Sequence, residues 1–104
     1  MEDKTLDNQD ITSAQAKTSD IKVFGDGDAW KLICKASSKS EGWMKSTKAM
    51  EVPGAGCLVQ VTTQQLNEDG TYSIAEAVTF VPGTCIDEQT DPDGKVIGRS
   101  ILRF

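Results

Sequence analysis

An α+β fold, one helix packed on a mainly antiparallel β-meander sheet, is what three features of this 104-residue chain predict. A helical-wheel arc runs through "AWKLICKASSK". From Trp43 onward apolar residues recur at every second position, and the turn clusters "PGAG" and "NEDG" cut that alternating stretch into three. The same pattern admits one other fold, an all-β small barrel or sandwich in which residues 28–37 are extended.

The chain has the length of a single domain, since a core of this size covers roughly two-thirds of the surface of the unfolded chain. Large apolar residues concentrate after Ile21. Residues 1–20, "MEDKTLDNQDITSAQAKTSD", hold only Met1, Leu6 and Ile11 as large apolar side chains. They are expected to form a flexible N-terminal arm preceding a globular domain over 21–104. Deleting such an arm is expected to leave stability almost unchanged, because it offers too little apolar surface to offset its ordering entropy.

The elements follow in order. "IKVF" (Ile21 to Phe24) predicts a short first strand, closed by the turn "GDGD". Asp28 is placed to cap a helix from about Asp28 to Ser40. On that helix Ala29, Trp30, Leu32, Ile33, Cys34 and Ala36 fill one arc, Lys31, Lys35 and Lys39 the other, and Gly42 can end it.

Three strands then form a meander: "WMKSTKAMEV", "CLVQVTTQQL" and "TYSIAEAVTFV". If each four-residue cluster closes its hairpin, Val52 faces Cys57, Met50 faces Val59, Val59 faces Val78 and Cys57 faces Phe80. One sheet face then carries Met44, Met50, Val52, Cys57, Val59, Val61, Ile74, Val78 and Phe80, the half-buried alternation of a sheet covered on one side. Lys45 points outward and Lys48 toward the core side or its rim. An acidic loop from Thr84 to Gly94 leads to a last strand, "KVIGRSILRF", with Gly98 marking a bulge or a close approach.

The composition excludes several chemistries. The chain has no histidine, which removes Ser-His and Cys-His nucleophile pairs and imidazole-based zinc sites. Cys34, Cys57 and Cys85 form no C-x-x-C pair and are expected to be reduced thiols. "GDGD" and "DEQTDPDG" cluster carboxylates but miss the spacing of a calcium loop, and "DPDG" is a turn sequence. Ser46 beside Lys45 does not make a catalytic pair, since neighbours on a strand point to opposite faces. The reading is therefore non-enzymatic, with no cofactor and no metal.

A net charge of −5 repels nucleic acid and anionic lipid, so nucleic acid is an unfavoured partner. The charge is uneven, however: Lys31 to Lys48 carries five lysines against Glu41 alone. Candidate partner-binding residues are Lys31, Lys35, Lys39, Trp43 and Lys45, with Arg99 and Arg103 on the last strand, a self-association surface. The alternative use of the basic set is single-stranded nucleic acid, with Lys31, Lys35 and Lys39 on phosphates and Trp43 under a base. No apolar run is long enough for a membrane span, and the N-terminus lacks the pattern of a secretory signal.

The segments "KASSKSEGWMKSTKAMEVPGAGCLVQVTTQQ" and "IAEAVTFVPG" resemble a group of small, mostly uncharacterised proteins of tailed bacteriophages and prophages, over about residues 21 to 83. The resemblance implies a phage or prophage setting, with the host cytoplasm or the virion as location. It transfers no site residues. Together with the composition it suggests a protein-binding factor directed at a host component, or an oligomeric virion part.

Overall fold

The structure is a computed structural model, and it describes residues 10–104. Among these, one short helix and six strands are arranged as two antiparallel sheets. The α+β class holds. Helix α1 spans Ile11–Lys17, and the strands are β1 Lys31–Ser38, β2 Trp43–Val52, β3 Gly56–Leu66, β4 Tyr72–Pro82, β5 Thr84–Thr90 and β6 Val96–Arg103. The larger sheet has the order β1-β2-β3-β4, so its edges are β1 and β4. The smaller is the β5-β6 pair.

The helix does not lie where the wheel placed it. Residues 31–38 form β1, which pairs with β2 from Lys31↔Ala49 to Ser38↔Trp43. The Gly42 amide donates to the Ser38 carbonyl at 2.8 Å, and the Gly42 carbonyl accepts from the Leu66 amide at 2.7 Å. Hairpin closure and sheet continuation thus engage both ends of the connecting turn, and cross-strand packing overrides a weak local preference for helix. A bulge between Leu32 and Cys34 reverses which side of β1 faces which side of the sheet. The predicted strand at Ile21 to Phe24 is absent: these residues are irregular, and Phe24 is fully exposed.

The one described helix lies instead inside the predicted arm, of which residues 1–9 fall outside the described residues. Asp10 caps it, its carboxylate accepting the Ser13 amide at 2.6 Å, and Lys17 sits in the last turn. Ala14 is buried. A second carboxylate, that of Asp28, accepts the Ile11 amide at 2.8 Å. Asp28 therefore satisfies the start of α1 rather than the start of its own segment.

The three meander strands stand where the turn clusters put them, but both hairpins close with three residues, not four. Val52 pairs with Gly56 across Pro53 to Ala55, and the Ala55 amide donates to the Val52 carbonyl. Pro53 then Gly54, with φ of 76°, is what a type II turn requires. In the second loop the Asn67 amide donates to the Thr71 carbonyl at 2.7 Å around Glu68, Asp69 and Gly70.

Each register is one residue away from expectation. Met50 pairs with Leu58, Ala49 with Val59, Val59 with Thr79, and Leu58 with Phe80. The two slips run in opposite senses, so Met44, Met50, Ile74, Val78 and Phe80 do share a face, while Cys57, Val59 and Val61 lie on the other with Ala49 and Ala77.

The segment read as an acidic loop contains β5, which pairs with the last strand. That strand belongs to the second sheet, not the first. An irregularity between Gln89 and Thr90 lies opposite Ile97 and Gly98, where a bulge was expected. Glu51 and Arg99 connect the sheets: the Glu51 carboxylate accepts the Ile86 amide at 2.5 Å, and Arg99 Nη1 donates to the Leu32 carbonyl at 3.0 Å. The hydrophobic core is small, formed by Ala14, Met44, Ala49 and Cys57, with Cys57 the largest fully buried side chain. A radius of gyration of 15.2 Å exceeds the roughly 13 Å typical of a compact domain of this length.

Candidate functional site

The basic residues singled out in the sequence are dispersed by the fold. Lys31, Lys35 and Lys39 cannot form a helix face, because they lie on a strand and its turn. The bulge places Lys31 opposite Ala49 on one side of the sheet and Lys35 opposite Ser46 on the other. Lys31 borders a shallow depression of about 360 Å³ with Asp26, Met50, Glu51, Ile86 and Glu88. Lys39 is exposed in the turn between β1 and β2, and Arg103 is exposed near the end of β6, opposite Thr84.

Trp43 and Lys45 do meet. The Lys45 ammonium lies 5.8 Å from the centroid of the Trp43 ring, and the indole Nε1 donates to the Glu41 carboxylate at 3.3 Å. A cation thus lies over one face of the ring and a carboxylate holds its N–H edge.

Lys35 and Arg99 share an open cleft of about 850 Å³ between α1, β1 and β6, to which Asp10, Lys17 and Lys95 also contribute. Arg99 is committed to structure there: its Nε donates to Glu88 at 2.8 Å, its Nη1 to the Leu32 carbonyl, and its side chain is only 12% exposed. Asp10, also in the cleft, has its carboxyl held below the ordinary carboxylate value first by the Ser13 backbone amide, then by the Ser13 side chain, with Arg99 adding a smaller attraction. The remaining lysines line a wide, solvated wall.

Asp26 and Asp91, one from each turn cluster, are occupied by backbone. The Asp26 carboxylate accepts the Asp28 amide at 2.9 Å, and the Asp91 carboxylate accepts the amides of Asp93 and Lys95. Among the described residues no group of three or more metal-ligating side chains comes together. Ser46 is buried, on the opposite face from Lys45.

The surface that sequence reasoning missed is β4. Ten of its eleven residues are exposed, Val81 being half-buried. Ile74, Val78 and Phe80, expected to be under a helix, are 65%, 57% and 44% exposed, and Tyr72 on the same face is 44% exposed. Its only hydrogen-bonded strand neighbour among the described residues is β3, so the N–H and C=O groups on the other side of its backbone face no described strand. The signal was indirect: once residues 28–40 are extended, the helix expected to cover this face is no longer there.

A family model described as Lockin family matches residues 1–98. The chain belongs to the Lockin family. No curated protein and no solved structure matches it. For this Lockin family member the described surface therefore has to be interpreted from its own geometry: an open, apolar sheet edge on one side, and a basic cleft tied by Arg99 on the other. No helix among the described residues is long and apolar enough to cross a membrane.

Proposed function

We propose that the protein acts by binding protein through the open edge of its larger sheet, without catalysing a reaction. It would serve as a host-directed accessory factor or an oligomeric virion component, in the phage setting that the sequence resemblance implies. The observation that carries this reading is the exposure of ten of the eleven residues of β4. An extended strand of another chain added to such an edge gains backbone hydrogen bonds along its length and side-chain contacts at alternate positions.

The chemistry of the edge supports a protein partner over nucleic acid. β4 has no lysine or arginine, and its single charge, Glu76, would repel phosphate. The Lys-rich helix face on which the nucleic-acid alternative rested is not formed, and Trp43 is engaged by Lys45 and Glu41. A photo-crosslinking residue at Ile74, compared with one at Lys39, tests the reading in infected or prophage-bearing cells. Protein adducts concentrated at position 74 are expected. Nucleic-acid adducts, or equal yields at both positions, would reject it.

A further inference from the structure

We infer that the partner on β4 is a second copy of this chain, paired antiparallel with its own β4 in a register centred on Ala77. This rests on the protein-binding reading and names the occupant of the same edge.

The two edges of the larger sheet are unlike. β1 carries Lys31 and Lys35, is broken by a bulge after Leu32, and has the Leu32 carbonyl capped by Arg99. Lysines, bulges and covering groups are the devices that keep a sheet edge from pairing. Among the described residues β4 has no lysine, no bulge and no covering group, and its one charge is Glu76. Its only proline, Pro82, is the last residue, where a missing N–H ends a ladder without interrupting it.

The sequence of β4 is self-complementary. A two-fold axis perpendicular to the sheet keeps each face continuous across the junction, and it requires one residue to face its own copy. With Ala77 on the axis the whole of Tyr72–Pro82 overlaps: Tyr72 faces Pro82, Ser73 faces Val81, Ile74 faces Phe80, Ala75 faces Thr79 and Glu76 faces Val78. The large apolar pair Ile74 and Phe80 forms twice on one face. Any other centre shortens the overlap, and a centre on Glu76 sets two carboxylates directly opposite, which is unfavourable.

In the Ala77 register the two Glu76 side chains are only diagonal. Each already turns toward its own β3, accepting from Gln60 Nε2 at 3.1 Å and Thr62 Oγ1 at 3.3 Å. Pairing at this edge would bury the backbone and those flanks of the half-open Tyr72, Ile74, Val78 and Phe80 that turn toward the partner strand.

Sedimentation equilibrium and light scattering of the full chain, with Ile74→Lys and Val78→Lys as variants and circular dichroism to check their folding, test the inference. A dimer is expected for the native chain, and folded monomer for at least one variant. Ala77→Cys in a Cys34→Ser background should form a disulfide-linked dimer on oxidation, whereas Ala75→Cys and Thr79→Cys alone should not, since those positions face each other rather than themselves. A native chain that stays monomeric at about 100 times the concentration of the crosslinking assay overturns the inference. Equal disulfide yields at positions 75, 77 and 79 overturn the register. A monomer that still gives adducts to other proteins from Ile74 removes the second copy while leaving the protein-binding reading standing; loss of those adducts as well removes both.

Discussion

The carboxylate of Asp28 accepts the backbone N–H of Ile11 at 2.8 Å, across seventeen residues of chain. This contact ties α1 to the segment entering β1, and with buried Ala14 it makes part of the N-terminal region a structural element. Asp28→Ala should lower stability by roughly 1 kcal/mol, the usual worth of a lost capping group. Removing residues 1–20 should lower it further, against the expectation from composition. Urea unfolding of both forms measures the difference, and a deletion with an unchanged midpoint would show that α1 contributes nothing to the fold.

Two carboxyls give a pH dependence with a definite sign. Asp10 is held low by the Ser13 amide and hydroxyl, and Asp69 by the Thr71 hydroxyl and amide. Each folded value lies below the ordinary 3.8, so each contribution is present above that value and disappears as the pH falls through the depressed folded value. In an NMR titration the Ser13 and Thr71 amides should shift with midpoints below 3.8. Midpoints at or above it would contradict these hydrogen bonds.

Ala49 is fully buried opposite Val59, on the face away from Ile74. Ala49→Asp should unfold the domain by placing an unpaired charge in the core, at several kcal/mol. Ile74→Asp, at a position 65% exposed, should change the stability of the monomer by less than about 0.5 kcal/mol. Thermal melts at low protein concentration compare the two, and the reverse order would mean that the strand register is wrong.

The three thiols differ in access. Cys34 is exposed, Cys85 half-buried and Cys57 buried. Under native conditions a thiol reagent should modify Cys34 first, Cys85 more slowly, and Cys57 only on unfolding. Peptide mass mapping over time follows each site separately, and early labelling of Cys57 would place it outside the core.

Gly56 fits tightly against β4, where an added Cβ would press on the Val81 carbonyl and the Pro82 backbone. Gly56→Ala should therefore destabilise by roughly 1–3 kcal/mol through overpacking. Chemical denaturation reads this directly, and a neutral substitution would show that the start of β3 yields more easily than its packing suggests.

What the sequence made legible was local. Pro53, Gly54 and Gly70 have no good alternative to turning the chain, so β2, β3 and β4 could be bounded closely. Register was not legible, because Gly56 and Thr71 are as compatible with a loop as with a strand end, and one residue's difference exchanges the faces of β3. Residues 29–36 were ambiguous for a related reason: eight residues with apolar side chains on most positions satisfy both periods, and the decision came from β2, to which they pair. The basic residues were individually visible, but the bulge at Leu32 that separates Lys31 from Lys35 leaves no mark in composition. The open edge could be found only after the helix meant to cover it had been removed.

The contrast between β1 and β4 also decides where assembly stops. Joining two copies through β4 would use that edge of each larger sheet and leave a β1 strand at both ends of the resulting eight-stranded sheet. Those ends carry Lys31, Lys35 and the Arg99 cap. Growth of that sheet by further strand addition would be blocked at both ends, so the association would be finite, and a chain with a long apolar edge would avoid the fibrous polymer that such an edge otherwise seeds.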